Sequence, residues 1–583
     1  MKLTRVFPFF IVAILSLSAC SSEVFEEEVR GGTLQLRTTT SGIQSLDPQR
    51  VYSDRDVALL STYMHRTLVT YDMAAGGTGS TLVPDLATDL GRASNDYKSW
   101  TFTIKDYVVF ENNEVISCYE IKYGVSRSFA TQSVTGGHPY ARRYLDIRKK
   151  KNGQSAYLGP YKAKAENQAL FDNAVECSAD GSEITFHLNQ SMPDFNYVLA
   201  SVAFAPVPLD EAGLLGGKYE QKPVASGPYR YSDESTDGNL LLIRNLKWSN
   251  DEIRKALPDQ ILISSNLTTN ETLTEIIDGT NLGNDAVNID ALSNADLLNI
   301  FNDPAFESQR VNDVENSMSG LFFNLETVSC PSLRRAVFYS ANRTEMVNKD
   351  KGSIFGPALT TTLLPPSMFP SFSVPITGYE DLSENGNQDR AEALLLEAKS
   401  QCPELHRRAT TKDLGLSMLV PDNEILIAQA ESLSKAAKRS GIQISVEVVG
   451  SERFLASLRN PKKRSDIFML VFTPEWLHPA SLAREFLMPG GFRQFIAAGS
   501  SKEFSNVLES INSAMKIEGE SQQRDAWIAV NQQLSNDSFV LPLFQHRIQY
   551  FWGSNVTPVG VWTAFSVPVF NDLGLKIVVS SIE

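Results

Sequence analysis

The chain has 583 residues, and its 53 lysines and arginines against 68 aspartates and glutamates give a net charge of −15 at pH 7; this length predicts two to four domains. Its 42% hydrophobic and 21% charged residues are typical of a globular protein, which excludes a disordered, collagen-like or coiled-coil chain. The acidic balance argues against a nucleic-acid-binding protein, which needs a basic surface to contact phosphates.

The amino terminus has the pattern of an export signal. Lys2 and Arg5 form a short positive region before an apolar stretch over residues 6–19. That stretch is shorter than the roughly 20 residues that a membrane-spanning helix needs. We therefore expect residues 1–19 to be a signal peptide that is removed on export.

The end of this signal resembles a bacterial lipobox. Residues 17–20 read LSAC, with small residues before a cysteine. On this interpretation Cys20 becomes the first mature residue and carries two acyl chains, which anchor a protein stably where one chain is marginal. Residues 20–30 then form a solvated tether, and the protein lies on the outer face of the cell membrane. The alternative is a conventional signal peptide in which Cys20 is incidental.

The first half of the mature chain alternates between strand and helix patterns. Apolar and polar residues alternate over 34–38, which predicts an early strand. Residues 57–68 then carry apolar side chains at helical spacing, with Ser53 or Asp54 as the N-cap. Further elements predicted in this half are a strand at 100–104, a helix at 121–129 and a strand at 184–188.

The second half shows a more regular alternation. Its predicted elements are helices at 394–398 and 427–437, a helix stop at Gly441, a strand at 442–448, a short helix at 454–458 and a buried strand at 466–472. Helices between successive strands indicate right-handed βαβ crossovers. We therefore predict an α/β fold with a mostly parallel sheet and more than one lobe.

Four cysteines remain in the mature chain: Cys118, Cys177, Cys330 and Cys402. None are spaced as CxxC, so a zinc site is not expected, and an exported compartment permits disulfides. Four cysteines allow three connectivities, and four free thiols are the alternative to any pairing.

The sequence carries no catalytic signature. It contains neither HExxH nor GxSxG, and GGK at 216–218 is followed by Tyr219 where a phosphate loop needs Ser or Thr. The six histidines are scattered without metal-ligand spacing. We expect no cofactor, no metal and no enzymatic activity. An exported hydrolase is the disfavoured alternative, because no nucleophile–base pair is evident.

Several segments, in order along the chain, resemble one protein family. The strongest match is ASGPYR at 225–230. The others are GGTL at 31–34, SLDP at 45–48, VPDLA at 83–87, WTFTI at 100–104, YEIKYGVSR at 119–127 and the stretch 330–343. Together they resemble extracytoplasmic solute-binding proteins of the oligopeptide/dipeptide ABC-importer family, over essentially the whole mature chain. ENNE at 111–114 and Asn342 depart from the family pattern.

The resemblance implies a type II periplasmic-binding-protein clamshell with two main lobes and a small inserted lobe. Lobe I would comprise residues 31–68, 192–266 and 543–583. The inserted lobe would comprise residues 69–191, and lobe II residues 267–542. A ligand would lie in the cleft between the lobes, which would close around it.

These lobe boundaries favour one disulfide connectivity. Cys118 and Cys177 fall together in the inserted lobe, and Cys330 and Cys402 fall together in lobe II. We therefore expect these two pairs, each worth roughly 4 kcal/mol in the chain-entropy model.

The resemblance also implies a function and partners. A membrane-anchored receptor would capture peptides and deliver them to an ABC permease and its ATPase, so the ATP chemistry would belong to those partners. We expect a monomer with no nucleic-acid partner. The alternatives are the same fold with another solute, such as nickel, heme or a sugar, and a surface lipoprotein for adhesion or sensing.

One segment matches the family's ammonium-binding motif. In the family, an acid that follows a buried strand binds the ammonium group of the peptide, and here residues 472–479 read FTPEWLHP. Glu475 would be that acid, although it is one methylene longer than the family's aspartate. Trp476 or Phe472 would form a wall of the pocket. The alternative is a surface acid on a loop.

Further cleft candidates follow from their positions in the matched motifs. The family binds an extended peptide largely through its backbone, with strand-like hydrogen bonds. The candidates are Tyr123, residues 36–38 with Leu36 and Thr38, and residues 471–473 with Val471 and Thr473.

Overall fold

The computed structural model describes residues 30–38, 42–162, 164–209, 219, 221–249, 251–265, 267–292, 294–369, 383–458, 460, 464–488, 502–517 and 520–576. The predicted signal peptide, the predicted lipidation site Cys20 and the predicted tether up to residue 29 lie outside the described residues. Within the described ranges, no helix is long and apolar enough to cross a membrane.

Nineteen strands are described. They are β1 Thr33–Arg37, β2 Val69–Tyr71, β3 Leu82–Pro84, β4 Arg92–Ala93, β5 Ser99–Thr103, β6 Val175–Cys177, β7 Glu183–His187, β8 Tyr229–Tyr231, β9 Asn239–Arg244, β10 Gln260–Ser264, β11 Ala286–Asn288, β12 Arg310–Phe323, β13 Ala358–Leu359, β14 Leu416–Pro421, β15 Ile444–Val449, β16 Ile467–Phe472, β17 Val540–Trp552, β18 Val561–Trp562 and β19 Val567–Pro568. Each of the five strands predicted from periodicity coincides with one of these strands to within two residues at either end.

The helices alternate with these strands. They are α1 Asp54–Tyr63, α2 Cys118–Arg127, α3 Tyr140–Tyr144, α4 Ala165–Ala174, α5 Phe195–Val198, α6 Thr269–Asp278, α7 Asn294–Asn302, α8 Pro331–Ser340, α9 Arg343–Val347, α10 Gly352–Phe355, α11 Gln388–Gln401, α12 Pro403–Thr410, α13 Glu424–Arg439, α14 Ser451–Leu458, α15 Pro479–Leu482, α16 Lys502–Ala514 and α17 Glu520–Asn536. Short 3-10 turns and one π-helix, Ala483–Leu487, are also described.

Local sequence determines several helix ends. Ser53 is the N-cap of α1, and its side chain accepts a hydrogen bond from the backbone N–H of Asp56. A capping box of Thr268 and Glu271 begins α6. Gly441 follows the end of α13 with a φ of 86°, a left-handed conformation that favours glycine and turns the chain toward β15.

One 11-stranded mixed sheet runs through the molecule in the order β15-β14-β16-β12-β17-β11-β1-β10-β9-β8, with β13 also paired to β17. β1 pairs in parallel with β10 and β11, and β14 pairs in parallel with β15 and β16. The remaining described pairs of this sheet are antiparallel. The α/β class is confirmed, but the prediction of a mostly parallel sheet is wrong, because β12 and β17 run antiparallel between two parallel groups.

The long strands β12 and β17 join the two halves of this sheet. The start of β12 pairs with the end of β17 beside β11, whereas the end of β12 pairs with β16. The register between the two long strands shifts between Val314 and Met318, which interrupts the ladder in the middle of the crossing. The connection between the halves is therefore a pair of strands with an irregular centre.

Each half has its own hydrophobic core. The first core contains side chains of β1, α1, α2, β5 and β7, and the second contains side chains of β12, β16, α8, α11 and α13. A smaller third core lies between α6, α7 and the end of β17. We use "lobe II" for the region around the second core, "inserted lobe" for residues 69–191, and "lobe I" for the rest of the region around the first core.

Residues 267–309 lie with lobe I. β11 pairs with β1, and α6 packs against β11 in the third core. The chain enters the second core along β12, and the start of lobe II at residue 267 stays a prediction. Periodicity could not locate this crossing, because α6 and α7 have the same local pattern as the helices of lobe II.

The inserted lobe contains a four-stranded antiparallel sheet in the order β4-β5-β7-β6. A disulfide joins Cys118 at the start of α2 to Cys177 at the end of β6. A second disulfide joins Cys330, before α8, to Cys402, between α11 and α12. These are the two pairs favoured from the sequence, and each links neighbouring elements within one lobe.

Candidate ligand-binding site

A cavity lies where the loop after β16 meets lobe I and the inserted lobe; we call it the interlobe cavity. Its volume of about 40 Å³ has room for water molecules but not for a peptide. Described residues that line it include Asp54, Tyr71, His138, Tyr140, Tyr197, Asn316, Thr473, Glu475, Trp476 and Ser566. Because this lining comes from both lobes, the structure represents a closed arrangement.

Glu475 lies three residues beyond the carboxyl end of β16. Its backbone N–H donates to the hydroxyl of Ser481 at 3.0 Å, which holds the loop in place. The hydroxyl of Tyr140, in the inserted lobe, donates to Glu475 Oε2 at 3.0 Å. The candidate acid therefore forms a hydrogen bond across the interface between two lobes.

The interlobe cavity carries negative charge. Asp54 and Glu475 both line it, and no lysine or arginine is among its described lining residues. Burial lowers the pKa of His138 to about 4, so this histidine is neutral at pH 7. Arg143 attracts Glu475 from outside the lining and forms an ion pair with Glu485 at 2.5 Å. An ammonium group is the chemistry that two carboxylates in a small cavity suit best.

Tyr140 stays protonated over the whole physiological range. Burial first, and then the neighbouring Glu475 carboxylate, raise its pKa well above the ordinary value for tyrosine. Its hydroxyl can therefore serve as a stable donor to Glu475. Its ring also packs edge-on against Trp476, with ring centres 5.7 Å apart.

The segment after β16 also forms a contact that we call the interlobe latch. Trp476, whose ring packs in the first core, and Arg484, in the π-helix Ala483–Leu487, make it on Asp194 of lobe I. The indole N–H of Trp476 donates to Asp194 Oδ2 at 2.9 Å, and Arg484 donates to Asp194 Oδ1 at 2.9 Å. Burial alone would raise the pKa of Asp194, but the attraction of Arg484 and of His478 lowers it. The backbone N–H of Leu477 adds a hydrogen bond to the Tyr71 hydroxyl at 3.0 Å.

Three of the residues predicted from the sequence line the interlobe cavity: Thr473, Glu475 and Trp476. Phe472 does not, because its buried ring packs between Phe322 and Phe486 in the core of lobe II. Val471 is 47% exposed on the opposite face of β16 and is also outside the described lining. The alternation of a strand explains this division, since successive side chains point to opposite faces.

The remaining candidates lie away from this cavity. Leu36 is fully buried in β1, where its backbone pairs with β10 on one side and β11 on the other. Thr38 is buried at the end of β1, and its hydroxyl donates to Asp290 at 3.0 Å. Tyr123 is half-buried on α2 and packs against the first core. The backbone of residue 36, which was expected to form strand-like hydrogen bonds with a peptide, is thus already paired with neighbouring strands of the sheet.

Sequence reasoning missed the lobe I and inserted-lobe side of the site. Tyr140, His138, Tyr71 and Asp54 carry no motif, and Tyr140 is 335 residues away from the acid that it contacts. The only sequence signal that could have indicated these residues is the group of aromatic residues close to α3, and such a group is as typical of a hydrophobic core as of a binding site. A contact between distant segments cannot be found from local spacing.

Two lobes joined by a shared sheet, with a cavity closed between them, define the class of clamshell ligand-binding proteins. The model for "Bacterial extracellular solute-binding proteins, family 5 Middle" matches residues 81–494, well over half of the chain. The chain belongs to this family. It therefore has a type II periplasmic-binding-protein fold, and family members are extracytoplasmic, non-enzymatic components of transport.

Solved structures share this fold over nearly the whole chain. "Clavulanic acid biosynthesis oligopeptide binding protein 2" is 23% identical with a TM-score of 0.77, covering 94% of this chain and 96% of that one. The periplasmic murein tripeptide binding protein MppA, in its unliganded open form, is 15% identical with a TM-score of 0.70, covering 93% and 97%. DppA from Helicobacter pylori, in complex with peptide STSA, is 16% identical with a TM-score of 0.62, covering 94% and 99%. No curated protein sequence matches the chain.

Proposed function

We propose that this protein captures peptides outside the cell for an ABC importer and that Glu475 binds the ammonium group at the peptide's amino terminus. The observation that carries the proposal is the position of Glu475 in the interlobe cavity, where a second carboxylate lies and no lysine or arginine is among the described lining residues. The peptides named for the structural relatives support the choice of ligand, because those relatives share the fold over more than 90% of the chain.

Binding requires the lobes to separate first. The closed cavity of about 40 Å³ is too small for even a short peptide. In the open form, Glu475 would lose the Tyr140 hydroxyl and become accessible from the cleft. A peptide ammonium could then replace that donor with a charge-assisted hydrogen bond, which is stronger than the neutral one. Reclosing over the peptide would raise the closed population with occupancy.

The remaining parts of the proposal concern location and partners. Cys20 would carry the lipid anchor and hold the mature protein on the outer face of the cell membrane, as a monomer. An ABC permease and its ATPase would recognise the closed, loaded form. A test of the anchor is the substitution Cys20→Ala, which should move the protein from the membrane fraction to the soluble fraction. Unchanged membrane attachment of that variant would contradict the anchor.

The ligand assignment is tested with a tri- to octapeptide library, screened by thermal shift and followed by calorimetry on the strongest binder. We expect N-acetylation of that peptide, or the variant Glu475→Gln, to weaken binding at least tenfold, or about 1.4 kcal/mol. The matched control is Glu404→Gln, because the Glu404 side chain is 86% exposed on α12 and is not among the described cavity-lining residues. The control should bind like the native protein.

Three results would contradict the assignment. If no peptide stabilises the protein while another solute does, the peptide ligand is wrong. If peptides bind but Glu475→Gln and native protein have equal affinity, the ligand stands and the role of Glu475 is wrong. If Glu475→Gln and Glu404→Gln lose peptide affinity equally, the loss comes from the change in net charge and not from a specific site at Glu475.

A further inference from the structure

The inserted lobe contains a second and larger pocket, which we call the basic pocket. Its volume is about 470 Å³, more than ten times that of the interlobe cavity. It lies between the end of α2, the start of α3 and the turn near residue 150. The two sets of described lining residues share no member. The basic pocket is therefore separate from the peptide site, although α3 contributes to both.

The lining of the basic pocket is strongly cationic. Five positively charged side chains line it, namely Arg142, Arg143, Lys149, Lys150 and Lys162, and no acid is among the described lining residues. This charge stands out in a chain whose net charge is −15. Like charges gathered around one concave surface raise the local concentration of anions.

Four of these cations have no acidic partner among the described residues. No described carboxylate lies within 4.0 Å of Arg142, Lys149, Lys150 or Lys162. Arg142 donates only to the backbone carbonyl of Ser128, at 3.1 Å, and burial lowers its pKa. Arg143 differs from them, because it pairs with Glu485. The fold thus holds a partly buried guanidinium and three lysines together without neutralising them.

Uncharged donors and an apolar wall complete the basic pocket. The hydroxyl of Ser155 lines it, is buried and has no hydrogen-bond partner among the described residues. Phe129 and Tyr157 form an aromatic wall, with ring centres 5.3 Å apart. An unpaired buried hydroxyl costs free energy unless a ligand or water satisfies it. This combination suits a ligand with a polyanionic group and a small apolar part.

We infer that the basic pocket is a binding site for small molecules that carry two or more phosphate groups. Phosphate fits better than a single carboxylate, since one negative charge would leave most of this cation cluster uncompensated. Arginine and lysine together are also the side chains that bind phosphate oxygens through charge-assisted hydrogen bonds. The inference does not rest on the peptide ligand, because it uses none of the residues of the interlobe cavity.

Calorimetric titration of the purified protein with inorganic pyrophosphate and tripolyphosphate tests this inference. We expect saturable binding that weakens as the salt concentration rises. The double variant Lys149→Gln/Lys150→Gln should bind at least tenfold more weakly. The matched control, Lys412→Gln/Lys435→Gln, changes the net charge equally at exposed positions of lobe II and should bind like the native protein. Thermal melting of both variants shows that each is folded.

Three outcomes would overturn the inference. One is the absence of saturable binding of either probe at low salt. Another is an equal loss of affinity in the two double variants, which indicates general attraction to charge. The third separates free phosphates from lipid headgroups: if the native protein binds phosphatidylglycerol vesicles through Lys149 and Lys150 but binds neither free probe, the site is a membrane contact. The proposed phosphate site does not require that pyrophosphate or tripolyphosphate change the affinity for peptides.

Discussion

At the scale of single residues, Asp194 organises the interface between the lobes. It is fully buried, and it accepts hydrogen bonds from Trp476 and Arg484, both in the segment after β16. A buried carboxylate is costly unless its lone pairs are satisfied. Removing one hydrogen-bond donor to Asp194 should therefore lower the free energy of unfolding more than the loss of an average surface contact does.

The substitution Trp476→Phe tests this residue-scale argument. It removes the indole N–H and leaves Asp194 with one donor fewer, so we expect the free energy of unfolding to fall by about 1–3 kcal/mol beyond the loss of ring packing. The measurement is urea unfolding. The control is Trp552→Phe, because the buried indole nitrogen of Trp552 has no partner among the described residues. Equal losses in the two variants would show that the hydrogen bond to Asp194 adds nothing.

His138 predicts a defined pH dependence. Burial lowers its pKa to about 4, whereas the unfolded side chain takes up a proton near pH 6.5. The unfolded state therefore binds more protons between these values, and His138 contributes stability that is lost as the pH falls from 6.5 to 4. His65 acts in the same direction with a pKa of about 4. Glu315 opposes both, since burial raises its pKa to about 7.

Because these groups oppose one another, the test compares the native protein with His138→Asn. The native protein should lose about 2 kcal/mol more than the variant between pH 7.5 and pH 5, measured as the free energy of unfolding in urea. His406→Asn, at a half-buried position on α12 where burial lowers the pKa of the histidine less than at His138, is the comparison and should depart less from the native curve. If His138→Asn also follows the native curve, His138 is not buried and neutral in the folded protein.

At the scale of elements, local patterning predicted helices and strands well but not how the strands pair. The alternation in β1 and the apolar run of β16 are properties of a few neighbouring residues, so the sequence reveals them. Whether a strand runs parallel to its neighbour depends on the connection between them. β12 and β17 are separated by more than 200 residues, and their antiparallel pairing left no local signal.

The two disulfides give an element-scale prediction. Cys118–Cys177 spans 59 residues and Cys330–Cys402 spans 72, so the chain-entropy model assigns each about 4 kcal/mol. We expect the double variants Cys118→Ser/Cys177→Ser and Cys330→Ser/Cys402→Ser to lose similar amounts of stability in thermal unfolding. A dithiothreitol-treated native protein should lose stability too. Native stability in both double variants would show that neither bond is formed.

At the scale of the whole molecule, the candidate site joins segments that are far apart in sequence. The acid in the loop after β16 was predictable, because that loop follows a recognisable strand and contains a family motif. Tyr140, which donates to that acid, and Asp194, which accepts from Trp476 of the same loop, were not predictable, since they come from other lobes and meet the loop only when the lobes close. The sequence could thus identify one side of the cleft and not the other.

The interlobe latch predicts how the lobes respond to a single substitution. Arg484→Gln removes the cation that faces Asp194, which weakens the closed form while leaving both cores intact. We expect small-angle X-ray scattering to give a larger radius of gyration for this variant than for the native protein. Arg407→Gln, in an exposed ion pair with Glu404, is the control and should scatter like the native protein. Identical curves for Arg484→Gln and native protein would show that the latch does not hold the lobes together.

The central claim is that a peptide binds between the lobes with its amino terminus on Glu475. The most direct measurement is a crystal structure of the protein with the strongest binder from the peptide library. We expect an extended peptide enclosed by both lobes, with its ammonium nitrogen within hydrogen-bond distance of the Glu475 carboxylate and the Tyr140 hydroxyl displaced from that carboxylate. Two results would contradict binding of the peptide's amino terminus to Glu475 between the lobes. One is a peptide whose ammonium group lies against another residue, and the other is a peptide bound outside the interlobe cleft.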